Sequence, residues 1–197
     1  MTFESLYAQA SDMLDEAVRT RHHGFHLMQV ASLTLDGAPD VRTVVMRKHE
    51  ADARLVAFHT DSRSLKLEAL RAHPEVVGHV YDTKSKVQLR LRGRAQVHVQ
   101  DEVAKAQWAN TSQNSKKCYL VEQGPGTEVD ASDACGVNHS DVAVDDAQAE
   151  ALAYEHFSVV QWQYDTLEYL HIKVSGHVRA RMWWDEQGRL HGKWLVA

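Results

Sequence analysis

The sequence predicts a mainly β fold: one closed or nearly closed antiparallel β-barrel with flanking α-helices. Three observations predict it. About nine apolar runs of strand length recur along the chain, several with two-residue alternation. Turn-forming residues separate them, and Asp36-Gly37 is the strongest hairpin signal. Helical periodicity is confined to three or four segments. Neither a GxGxxG fingerprint nor a phosphate loop ending in Gly-Lys-Ser/Thr is present, which argues against a doubly wound sheet. At 197 residues the chain suits a single domain spanning 1–197.

Residues 3 to 20 form the first expected helix. Leu6, Ala10, Met13, Leu14 and Ala17 fall on one face, and Thr2 or Ser5 can cap its start. Strands follow at 26–35 and 41–48, joined by the Asp36-Gly37 turn, and a third strand at 54–59. Leu65, Leu67, Leu70 and Ala72 then follow a helical period, with Asp61 or Ser62 as cap and Pro74 as stop. Strands are expected at 76–81 and from Val87 to Val99, where Val87, Leu89 and Leu91 alternate with Gln88, Arg90 and Arg92. Gly93 marks a bulge or bend. A helix is expected from Asp101 to about Lys117 and another from Ala147 to Tyr154. Between them, 124–146 holds Gly124-Pro125-Gly126 and six acidic residues, the pattern of a flexible, solvated acidic loop. Four strands close the chain at 157–162, 166–174, 177–184 and 190–196.

Hydrophobic residues make up 44% and charged residues 25% of the chain, ordinary for a soluble globular protein. The formal net charge of −5 excludes a general basic platform, so no nucleic-acid partner is expected and any basic site must be local. No apolar run is long enough to cross a bilayer, and Met1-Thr2-Phe3-Glu4-Ser5 lacks the features of a secretory signal. A cytoplasmic protein with no membrane partner is the expectation. Cys118 and Cys135 have neither CxxC nor zinc spacing, which predicts reduced thiols, with a single disulfide as the alternative. His22, His23 and His26 cluster, but no Cys or carboxylate stands at ligand spacing beside them, so no metal site is expected.

The stretch from Arg42 to Arg90 carries the chemistry. Alternation puts Arg42, Val44 and Met46 on one strand face and Thr43, Val45 and Arg47 on the other. A half-buried arginine requires an anionic partner. Arg63 and Lys66 lie three apart on the short helix, and Ser62 and Ser64 sit at its start, where free N–H groups favour an anion. Cations, hydroxyls and a helix start converging on one point suit a phosphate. The same residues also suit a plain solvated helix face.

This stretch resembles the pyridoxamine 5′-phosphate oxidase-like family of FMN-binding split barrels. The resemblance rests on Arg42-Thr43-Val44-Val45-Met46-Arg47, on His59-Thr60, on Arg63-Ser64-Leu65-Lys66 and on Gln88, in that order. It extends from about Gly24 to the end of the chain and is densest between Arg42 and Gly93. It implies an antiparallel split β-barrel with flanking helices, FMN as cofactor, and a homodimer holding FMN between subunits.

Carried over to this chain, the resemblance implies that Arg42 and Lys66 bind the FMN phosphate, with help from Arg63 and Ser64. Thr43, Val44 and Val45 would lie along the flavin ring, Thr60 would contact the phosphate or ribityl chain, and Gln88 would bond the flavin or ribityl group. Gln123 stands where the family has a residue contributed by the second subunit. Trp183, Arg189-Leu190-His191 and Lys193 match a C-terminal element in which Trp183 and Lys193 contact FMN and Arg189 and His191 contact substrate. A plain hairpin through Asp185-Glu186-Gln187-Gly188 is the competing account of that element. Arg47 is the third substrate-binding candidate.

Departures from the family pattern fall in its substrate half. His59 replaces an aromatic residue, Arg47 and Lys193 exchange Lys and Arg, and the stretch from Trp108 to Tyr119 lacks a Tyr-x-x-x-Arg-x-x-x-Ser motif. The expectation is therefore an oxidase-related member rather than the vitamin B6 enzyme itself. It would pass a hydride from a small, possibly phosphorylated substrate to FMN. The flavin would carry that chemistry, so no catalytic side chain is assigned. The alternatives are a non-catalytic FMN carrier or sensor, or a binding module for another phosphorylated ligand or for haem.

Overall fold

The computed structural model describes residues 1–130, 132 and 147–197. The expectations placed on Cys135 and on the acidic residues from 133 to 146 lie outside the described residues. The elements, in order, are α1 (Phe3–Arg19), β1 (Leu27–Leu33), β2 (Pro39–Glu50), β3 (Leu55–Asp61), α2 (Leu65–Ala72), β4 (Glu75–Asp82) and β5 (Val87–Val99). Then come α3 (Glu102–Ala109), α4 (Gln113–Lys116), a 3-10 turn at Lys117–Leu120, α5 (Ala147–Glu155), β6 (Phe157–His171), β7 (Val178–Trp184) and β8 (Leu190–Trp194).

The strands form one antiparallel sheet in the order β3-β2-β1-β4-β5-β6-β7-β8, and a further β3–β6 pairing closes six of them into a barrel. Closure follows from the length of β6. Its first half, Phe157 to Gln163, pairs with β3, and its second half, Thr166 to His171, pairs with β7. Strand β5 lies along both halves. Two separate strands were expected here, and one long strand is found. Pairing with β5 supplies ladder hydrogen bonds along its whole length, which overrides the weak break in the sequence pattern. The register slips between Arg92 and Gly93. A Cβ at Gly93 would run into the carbonyl oxygen of Gln163, so the bulge needs glycine.

The barrel interior is filled by Met28, Val30, Met46, Phe58, Leu89, Leu91, Trp162 and Tyr164, all buried. Helix α1 closes one end with Leu6, Ala10, Leu14 and Ala17. Its cap is Thr2, paired reciprocally with Ser5. A smaller core lies outside the barrel, where Trp108, Tyr119, Ala153 and Phe157 hold α3, the 3-10 turn and α5 against the wall.

Two local expectations are corrected. The long helix from Asp101 breaks after Ala109. The N–H groups of Asn110 and Thr111 turn back to Gln107 and Trp108, and Ser112 caps a new short turn. Local bonding of Asn, Thr and Ser competes with the helix ladder here. At α2 the cap position is Ser64 rather than Asp61 or Ser62. Asp61 instead accepts the N–H of Arg63 at 2.8 Å.

Candidate functional site

Strands β2 and β3 are paired only from Met46–Glu50 against Leu55–Phe58. Before Met46, β2 stays with β1; beyond Phe58, β3 stays with β6. The barrel wall is therefore split between the first half of β2 and the last residues of β3. The Met46 N–H points to β1, donating to the His26 carbonyl at 3.0 Å. By alternation the peptide groups of Thr43 and Val45 face the open side of the split. Val44 turns its side chain toward the core.

Helix α2 stands at this split. Lys66 Nζ donates to Thr60 Oγ1 at 2.9 Å and to Ser64 Oγ at 2.6 Å. Burial, and next the charge of Arg42, push the Lys66 pKa down. Arg42 is largely buried and donates to Ser32 Oγ at 2.7 Å and to the Val30 carbonyl at 3.3 Å. It also pairs with Asp40, which is well exposed. Arg42 and Lys66 share a pocket of about 420 Å³ with Leu35, Leu65 and Ala69. Two cations, two hydroxyls and open peptide groups thus meet at one split in the wall. Lys66 has no carboxylate partner among the described residues. This donor set fits a phosphate monoester carrying a flat, partly apolar group.

Arg63 is not part of that set. Its Nε and Nη2 hold Asp61 at 3.0 and 2.7 Å, and its Nη1 and Nη2 donate to the carbonyls of Glu122 and Val121, both at 2.9 Å. Asp61 is buried and next to Arg63, and it holds the guanidinium in an ion pair. The result is a clasp on the segment after the 3-10 turn. That clasp brings Gln123 and Gly124 to a second pocket, of about 460 Å³, bordered by Thr60 and Tyr119 of the same chain.

The remaining expected residues lie elsewhere. Gln88 is half-buried on β5, opposite Tyr81 and Leu170. Trp183 stacks on the His191 ring at 6.0 Å and 19°. Asp185 gathers the hairpin around them. It accepts from Arg189 Nε at 2.8 Å and bonds His191 Nε2 at 2.9 Å. Those bonds, His191 first, hold the Asp185 carboxyl far below the usual range. Lys193 is exposed on β8, opposite Arg181. In the sheet order β7 and β8 follow β6, which also pairs with β3 through the barrel closure, but β7 takes its second half, Thr166–His171, and β3 its first, Phe157–Gln163. Among the described residues no hydrogen bond or ion pair joins Trp183, Arg189, His191 or Lys193 to Arg42 or Lys66.

Arg47 faces a third pocket, of about 250 Å³, with His59, Gln107, Thr111 and Ser115. Sequence reasoning named Arg47 but missed the other four as a group. The signal was there: Gln107, Thr111 and Ser115 are spaced by four. The two His23 and His26 rings are engaged locally, by the Phe25 N–H and the Ala17 carbonyl.

Residues 8–99 match the FMN-binding domain of pyridoxamine 5′-phosphate oxidase. A pyridoxine/pyridoxamine 5′-phosphate oxidase of Caulobacter vibrioides is 29% identical over 113 residues, 57% of this chain and 50% of that protein. Pyridoxine/pyridoxamine 5′-phosphate oxidase 2 of Arabidopsis thaliana is 35% identical over 89 residues, 43% of this chain and 44% of that protein. The chain spans about half the length of these curated relatives. A pyridoxamine 5′-phosphate oxidase-related, FMN-binding protein of Nostoc punctiforme has the same fold, with a TM-score of 0.76 over 96% of both chains at 16% identity.

Proposed function

We propose, from the premise that this chain is a member of the pyridoxamine 5′-phosphate oxidase-like family with its FMN-binding domain at residues 8–99, that it is an FMN-dependent oxidoreductase acting on a small substrate. One observation carries the reading. Arg42, Lys66, Thr60 and Ser64 converge at the β2–β3 split, and Lys66 has no anionic partner of its own among the described residues.

In this reading Arg42 and Lys66 neutralise the FMN phosphate, and the hydroxyls of Ser64 and Thr60 complete its oxygen shell. The open peptide groups of Thr43 and Val45 bond the polar edge of the ring. FMN, when bound, would supply two-electron redox chemistry. The protein supplies orientation and an exclusion of water along the barrel wall.

The assembly we propose is a homodimer. Trp183 stacks on His191 and Lys193 lies opposite Arg181 within their own chain, and a second copy would supply them to the split, as the resemblance implies. Gln88, on the outer sheet face, would act the same way. Arg189 and His191 would then hold an anionic group of the substrate.

A second reading is FMN binding without turnover. Its support is that Arg189 and His191 are both held by Asp185. A visible spectrum separates both readings from a colourless binding module: a protein that takes up no added FMN sinks them. Flavin reduction under nitrogen, assayed with pyridoxamine phosphate and with nicotinamide donors, then separates oxidoreductase from carrier. Reduction by none of the donors would favour the carrier.

A further inference from the structure

The pocket that holds Arg42 and Lys66 continues past them. In the FMN site proposed above, ring to phosphate runs outward along β2 from Val45 to Arg42. Two residues further out, roughly 7 Å along the strand, comes Asp40, and then the β1–β2 hairpin tip with Thr34, Leu35 and Asp36. The space they share with the cations measures about 420 Å³. Clefts that hold small organic molecules measure roughly 300–1,000 Å³. FMN ends at its phosphate and has no group to place beyond it.

The far end of the pocket has its own chemistry. Leu65 and Ala69 stand one turn apart on α2 and line it together with Leu35 of the hairpin. Leu35 is 54% and Leu65 67% exposed, so neither serves the core. The hairpin tip is fixed by the Thr34 N–H, which donates to the Ala38 carbonyl at 2.8 Å. It is tied to the end of α2 by His73, whose Nε2 lies 3.5 Å from the Leu35 carbonyl. Asp36 accepts the Thr34 hydroxyl and has no cation partner among the described residues. That bond, first of all, holds its carboxyl below the usual range. An ionised carboxylate repels a further phosphate monoester but accepts hydroxyl protons, as an acidic residue does from an adenosine ribose. Apolar walls suit a flat base, the carboxylate suits a ribose diol, and the cation pair suits the phosphates that join them to the flavin. We propose that the cofactor site extends past the phosphate pair and takes FAD as well as FMN, with the adenine against Leu35, Leu65 and Ala69 and its ribose on Asp36. This rests on the flavin-binding reading, and it extends the cofactor of that same site.

The test is calorimetric titration of the flavin-free protein with FMN and with FAD. FAD is expected to bind about tenfold tighter or more. Leu35→Ser and Asp36→Asn change the exposed hairpin tip without adding charge, and Asn-Gly keeps the turn. Each is expected to weaken FAD binding about fivefold or more while FMN affinity stays within about twofold of the parent. Lys66→Ala is expected to weaken both flavins, as one shared phosphate site requires. FAD affinity equal to or below that of FMN overturns the proposal. So does FAD affinity unchanged in both hairpin variants, or lowered in them only as much as that of FMN. A protein that binds FMN and excludes FAD sinks this inference and leaves the FMN reading standing. A protein that takes up neither flavin sinks both.

Discussion

Lys66 reaches back over the start of its own helix to Thr60, 2.9 Å away at the end of β3, and binds no carboxylate among the described residues. A lysine held between hydroxyls, with an arginine charge close enough to lower its pKa, gains most from an added anion. Lys66→Ala or Arg42→Ala is therefore expected to weaken FMN binding about tenfold or more, roughly 1.4 kcal/mol. Quenching of flavin fluorescence on titration measures it. Unchanged affinity in both variants would refute the phosphate assignment.

Arg63 should behave differently. Its guanidinium holds buried Asp61 and two carbonyls. Arg63→Ala leaves that carboxylate short of partners, at a cost of about 1–3 kcal/mol. A lower melting temperature and faster proteolysis near Gln123 are expected, with FMN affinity reduced less than in Lys66→Ala. A variant with parental stability and lost FMN would return Arg63 to the ligand.

The imidazole of His59 is pushed down to about 4 from an ordinary 6.5, first by burial. The unfolded chain therefore takes up this proton at higher pH than the folded one. Stability present above about pH 6.5 is lost progressively as pH falls toward 4. Burial lowers His49 too, so the informative quantity is a difference. Melting temperature against pH is expected to fall less steeply for His59→Phe than for the parent between those limits. Identical slopes would mean that His59 is charged in the fold.

If FMN is shared between copies, broken sites should complement. Arg42→Ala and Trp183→Ala each damage both sites of a homodimer. A hybrid of the two chains has one doubly damaged site and one intact site. Mixing after mild dissociation is expected to restore tight binding of one FMN per hybrid dimer. No recovery in a verified hybrid would place both residues in one chain's site or in none.

Several features were legible in the sequence. Alternation along β2 separated Arg42 from Arg47 correctly, because side chains in a strand can point only two ways. The Asp36-Gly37 turn was set by local backbone geometry, with φ +83 at Gly37, and the glycine at 93 marked the bulge that its packing against Gln163 requires. The order Arg42, Thr60, Ser64, Lys66 along the chain carried the family resemblance, and the FMN-binding domain match bears it out.

What tertiary structure alone decided concerns partners at long range. The β3–β6 pairing that closes the barrel joins residues about a hundred apart, as Thr60 and Ser158 show, and no local signal encodes such a contact. The single long β6 is a product of its pairing with β5. Arg63 and Lys66 look alike in sequence, two flexible cations at one helix start. Their fates differ because buried Asp61 lies beside one and only hydroxyls lie beside the other. Sequence determined that two cations stand at one helix start; the positions of neighbouring charges in the fold decided which of them is ion-paired.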